Sequence, residues 1–222
     1  MAQTAVREPA ATDAVERRVH ALRELAQSDP GGAADQAWAW FVEAGQRFRD
    51  DRQGAGDELA ALFRAGTPSQ GIDGPTRGAL ITLTVTPGLD RFGAALTALW
   101  MPWQGKRFDQ AAQTGENLLR RSARWPSKAL WPRYQMRPAP SGLAAFDFET
   151  RVEAGKDDPD REVLVIDYAP LESNPDFVIR SIRDELVEIV PGAHLGKVLW
   201  RHGDGARYSL LGYFALRTPV GD

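Results

Sequence analysis

Three cationic or titratable side chains define most of the chemistry open to this chain: Lys106, Arg183 and His194. Lys106 follows Gly105 at the start of a strand-like run. Pointing inward, its ammonium would pair with a ligand carboxylate or polarise a carbonyl, and a solvated lysine is the plainer account. Arg183 adjoins Asp184 and Glu185. An inward Arg183 set against Asp167 or Asp184 would make a desolvated pair of the kind that marks sites, with a structural ion pair at a rim as the alternative. His194 comes directly after a Pro191-Gly192 turn, where it could serve as general acid or base or as a haem ligand, or could simply lie at the surface. Tyr134 and Tyr213 offer further polar tips. Trp103 and Trp131, with Phe108, Phe146 and Phe148, are large rigid side chains suited to walling an apolar cavity, and ordinary core packing competes with that reading.

Composition narrows the field. With 27 basic and 30 acidic residues the net charge is −3, which disfavours a general nucleic-acid surface. Arg120, Arg121 and Arg124 form the densest basic group and read as a solvated face. The absence of cysteine removes disulfides, thiolate nucleophiles and thiolate metal sites. Three scattered histidines make a histidine zinc site a poor fit, so no metal and no resident cofactor are expected. No run approaches the roughly 18 apolar residues that would span a bilayer, and Met1 to Ala11 lacks the apolar centre of a signal peptide. These features lead us to expect a soluble cytoplasmic protein, with no membrane and no nucleic acid among its partners. Asp157, Asp158 and Asp160, in a proline-containing polar stretch, read as a solvated loop.

The elements that must position these residues follow from hydrophobic period. Residues 1–11 read as a disordered tail, and residues 12–66 as a helical layer. Asp13 would cap a helix carrying Val15, Val19, Leu22 and Leu25, a second helix would cover 34–48, and a third 57–63. Residues 67–222 then read as one antiparallel β domain. A strand is expected over 79–85, a helix over 89–99, and strands over 105–109, 117–121, 130–136, 143–153, 162–168, 185–190, 195–201 and 207–217. The run 143–153 alternates Asp147, Glu149, Arg151 and Glu153 with Phe146, Phe148 and Val152, giving one wet and one buried face. In 162–168, Val163 and Val165 face opposite to Leu164 and Ile166, so both faces are buried and the helices should pack outside. Eight or nine antiparallel strands with inward aromatics suit a closed barrel that can enclose one small ligand. The expected class is therefore α+β, mainly β.

Trp103-Gln-Gly-Lys-Arg-Phe108 resembles the W-x-G-K-x-F stretch of bacterial proteins named for a GXWXG signature, which carry a C-terminal companion domain of unknown function. Asp167-Tyr168, Pro170, Asp184-Glu185, Gly192, Leu195-Gly196 and Tyr213-Phe-Ala-Leu-Arg217 follow in the order that domain would have. The naming signature is altered, since Gly74-Pro-Thr-Arg-Gly78 has Thr76 where the tryptophan should stand. The resemblance spans about residues 57–217 and implies a calycin-like or lipocalin-like barrel without a defined activity. Fold alone does not supply one.

Together these features lead us to expect a barrel that binds a small hydrophobic molecule. It could act as a cofactor-independent cyclase or isomerase on a polyene or polyketide-like substrate, by shape and orientation alone. It could equally be a carrier without turnover. A third reading, a protein-interaction module, requires a filled barrel and an exposed apolar patch on 34–48. Association as a homodimer is left open by the sequence.

Overall fold

The alternation from Ile182 to Val190 sets the architecture. Ile182 and Leu186 join one apolar cluster and Val187 and Ile189 another, so this strand is buried on both faces. The structure, a computed structural model, describes residues 8–84, 102–176, 178–203 and 205–219, with backbone alone at 8–11, 126 and 129. It is mainly β, with helices at the N-terminus. The expected helix over 89–99 lies outside the described residues.

Three helices come first, α1 (Glu8–Leu25), α2 (Pro30–Arg47) and α3 (Arg52–Ala65). Each begins earlier than its hydrophobic period suggests. Ala10 and Ala11 are strong helix formers with no apolar stripe, and Pro9 suits a first turn, so α1 takes in residues expected in the tail and leaves Asp13 inside the helix. Asp29 caps α2 by accepting from the Gly32 amide at 2.8 Å, with Pro30 at the first helical position. The stretch that ends one helix therefore starts the next. Asp51 caps α3 in the same way through Gly54.

The strands are β1 (Thr67–Pro68), β2 (Gly74–Pro75), β3 (Arg77–Leu83), β4 (Trp103–Asp109), β5 (Thr114–Leu119), β6 (Arg137–Ala139), β7 (Gly142–Ala154), β8 (Glu162–Asp167), β9 (Ile182–Val190), β10 (Ala193–Arg201) and β11 (Tyr208–Arg217). Nine run in the order β2-β4-β5-β7-β8-β9-β10-β11-β3, all pairs antiparallel, with β1 on β9 and β6 on β7. Only Thr76 separates β2 from β3, so one extended stretch pairs with β4 at its start and with β11 at its end, nearly closing a barrel. Thr76 stitches this seam. Its amide and hydroxyl donate to the Lys106 carbonyl at 2.8 and 2.9 Å, and its hydroxyl accepts from the Lys106 amide at 3.0 Å.

The strand expected over 130–136 is absent. The chain instead forms α4 (Arg124–Leu130) and a turn in which the Tyr134 amide donates to the Trp131 carbonyl at 3.0 Å. Pro132 has no amide hydrogen for a ladder. The solvated loop expected at Asp157, Asp158 and Asp160 is also corrected at its centre. Asp158 is buried, accepting from Lys197 and from Arg64 of α3 at 2.7 Å each.

Two cores result. The barrel interior contains Phe108, Leu119, Phe146, Phe148, Ile166, Leu186, Val198 and Phe214. The outer face, through Val163, Val165, Val187, Leu195 and Ala215, packs on Val19, Ala37, Phe41, Leu59 and Leu62 of the helices. The helical layer lies outside the barrel, as the two buried faces of 162–168 led us to expect.

Candidate functional site

Four polar side chains meet inside the barrel. Lys106 on β4 stands directly across from Asn117 on β5, and Asp184 comes from β9 on the far side of the lumen. Tyr168, one residue past β8, reaches in between. The Lys106 ammonium lies 2.9 Å from Asp184 Oδ2, 3.0 Å from Asn117 Oδ1 and 2.5 Å from the Tyr168 hydroxyl. Tyr168 donates to Asp184 Oδ2 at 2.9 Å. Asn117 accepts from Trp103 Nε1 at 3.1 Å and donates to the Phe146 carbonyl at 3.0 Å. Exposure is only 2% for Lys106, 3% for Asp184, 4% for Tyr168 and 6% for Asn117, so the quartet is removed from bulk water.

Aromatic rings complete the surroundings of the cation. Trp103, Phe148, Tyr168 and Phe214 place their ring centres 5.2–5.7 Å from the Lys106 ammonium, within cation–π range. Burial lowers the Lys106 pKa and Asp184 pulls it back up. Burial, then the adjacent Asp184 charge, pushes the Tyr168 phenol well above its ordinary value, so it stays protonated and donates.

A cavity of about 40 Å3 opens against this quartet, room for roughly two or three waters. Its other walls are Leu80, Leu119, Ile179, Ile182, Val198 and Phe214, with Trp103 and Phe146. Asp184, one of its lining residues, keeps Oδ1 buried without a hydrogen bond from any of the described residues.

A bulge in β7 shapes one wall. The β5–β7 register shifts between Gly115 and Asn117, and Phe146 adopts φ 53°. Tyr134 stacks on the Phe146 ring with centres 5.1 Å apart and accepts from its amide, while Trp131 meets the same ring edge-on at 5.4 Å.

Among the residues singled out from the sequence, Trp103, Lys106 and Phe146 line the cavity. Phe108 and Phe148 belong to the barrel interior next to it. Trp131 and Tyr134 back Phe146 from outside the lining. The other three lie elsewhere. Arg183 alternates with Asp184 and so faces outward, donating to Glu185 at 2.9 Å and pairing with Glu153. His194 lies buried with Nδ1 2.9 Å from the Ser69 hydroxyl, away from the cavity lining. Tyr213 sits in the helix-facing core, where burial raises its phenol pKa. The sequence reading did not single out Asn117, Tyr168 or Asp184 as ligand contacts. Asp184 had a signal: it is the polar member of the Ile182, Asp184, Leu186 alternation. Among the described residues no group of three or more His, Asp or Glu could hold a metal. Nor is any helix among them long and apolar enough to cross a membrane.

No family model matches the chain, and no curated protein matches it. A solved structure described as a protein from Thermomonospora curvata aligns with 80% of this chain and 99% of its own, at 18% identity and a TM-score of 0.42. A likeness of that size carries no argument about function.

Proposed function

We propose that the barrel holds one compact, largely apolar molecule in the cavity beside Lys106 and Asp184. The observation that carries this reading is a charged, hydrogen-bonded quartet enclosed among aromatic and aliphatic walls. Burying an ion pair usually adds little to stability compared with apolar residues of the same volume, so a pair facing a cavity invites a role in recognition. Leu80, partly exposed at 38%, is the wall residue able to yield to a larger guest.

A carrier and a cofactor-independent isomerase or cyclase both use this geometry. The lone pairs of Asp184 Oδ1, which meet no donor among the described residues, support the second, because a buried carboxylate can accept a proton from a bound substrate while Lys106 and Tyr168 hold its other oxygen. The interaction-module reading loses its motive, since Ala34, Ala37, Trp40, Phe41 and Ala44 are buried rather than forming an exposed patch. Kinship with the GXWXG-signature proteins is proposed on similar terms. It is supported by Gly78 and Gly105, from the two stretches that carry the resemblance, which meet at the barrel seam.

Comparing native and denatured masses of the purified protein, alongside titration of tryptophan fluorescence with small apolar compounds, tests the proposal. Saturable binding that is lost when Val198→Phe fills the cavity is the expected result. Equal binding in that variant would move the site elsewhere.

A further inference from the structure

We infer that the molecule taken by this cavity is neutral and carries a hydroxyl group that donates to Asp184 Oδ1, so that alcohols, enols and phenols are accepted and carboxylates are rejected. This rests on the cavity being a binding site, and it follows from counting donors and acceptors. All three ammonium hydrogens of Lys106 are used, on Asn117 Oδ1, Tyr168 Oη and Asp184 Oδ2. The Trp103 indole hydrogen goes to Asn117, whose own amide hydrogens go to Phe146 and Tyr168. The Tyr168 hydrogen goes to Asp184 Oδ2. The quartet has no hydrogen left to give.

What remains is one acceptor. Asp184 lines the cavity, its Oδ1 is enclosed, and no donor among the described residues reaches that oxygen. An anionic headgroup would find no free donor on the quartet and would face a carboxylate, although Lys106 lies only one hydrogen bond further back. An ammonium ligand would satisfy Oδ1 but would bring a second cation, stripped of water, next to Lys106. A neutral hydroxyl meets the acceptor at no charge cost, and the remaining walls, Leu119, Ile179, Ile182 and Val198 among them, take an apolar body. A polar site built to receive a donor rejects the analogue that lacks one more strongly than an apolar wall rejects a change of size.

The test uses three probes of nearly one shape, phenol, toluene and benzoate, titrated into the intact protein by calorimetry at pH 7. Phenol should bind at least tenfold tighter than toluene, and benzoate should show no saturable binding. A phenol advantage below tenfold, or saturable benzoate binding, overturns the inference while leaving the cavity as a binding site. If none of the three binds, the cavity reading falls with it. In the doubly substituted Lys106→Met, Asp184→Leu protein, its fold checked by circular dichroism, the phenol advantage should vanish while toluene still binds; a persisting advantage overturns the assignment to Asp184. The comparison in the unsubstituted protein decides the question even if that variant does not fold.

Discussion

At the scale of single residues, the barrel contains polar side chains whose states are fixed by enclosure. His194 is 2% exposed, and burial, with the charge of Arg217, lowers its pKa from 6.5 to about 4. The unfolded chain therefore takes up a proton on this residue before the folded one does. The resulting stability is complete above about pH 6.5 and is lost as pH falls towards 4, by about 3 kcal/mol if the whole shift counts. Glu188, whose nearest carboxylate oxygen lies 3.9 Å from His194 Nε2, has its pKa raised by burial and acts in the opposite sense. The informative quantity is thus a difference between proteins. Urea unfolding of His194→Gln, which keeps a partner for Ser69, should show a shallower loss of stability between pH 6.5 and 4 than the parent. Parallel profiles would mean that the imidazole titrates as it does in the unfolded chain.

At the scale of elements, closure of the barrel depends on two strands approaching more closely than side chains allow. Gly105 has φ 145°, and a Cβ there would lie 2.1 Å from the Thr76 carbonyl oxygen and 2.9 Å from the Gly78 amide nitrogen. Gly105→Ala should cost more than about 3 kcal/mol in urea unfolding, since backbone would have to move and Lys106 is the next residue. Gly71→Ala, with nothing within 4 Å of the added carbon, should change stability by no more than about 0.5 kcal/mol. Similar costs at the two positions would mean that the seam is looser than its geometry. The strand expected over 130–136 shows the limit of reading elements locally: Leu130, Trp131, Tyr134 and Met136 are apolar because they lie against the barrel, not because they alternate within it.

At the scale of the whole molecule, the helices belong to the fold rather than to an appended arm. Val163, Val165, Val187, Ile189, Leu195 and Ala215 form the outer barrel face, and each is 1% exposed or less only because α1–α3 cover it. Arg64 also reaches from α3 to Asp158 and Asp160, tying the helical layer to the loop after β7. A chain beginning at Thr67 would expose this face as one apolar patch. Light scattering after gel filtration should show it as oligomer or aggregate, with the cooperative thermal transition of the full chain lost. A monomer melting like the parent would mean that the barrel is self-sufficient.

The sequence by itself determined the period of the three N-terminal helices and of eight strands, the antiparallel mainly-β class and the placement of the helices outside, because each depends on which residues within a few positions of one another are apolar. It also pointed to Trp103, Lys106 and Phe146, as a wall, a charge and an inward ring on strands whose faces could be read. Only the tertiary structure decided that Lys106 meets Asp184, 78 positions away across the lumen, and that Asp184, not Arg183, faces inward. Strand alternation assigns each side chain to a face, but the identity of that face depends on which sheet surface curls inward. That choice comes from closure at Thr76, Gly78 and Gly105, and from the helices covering the other side.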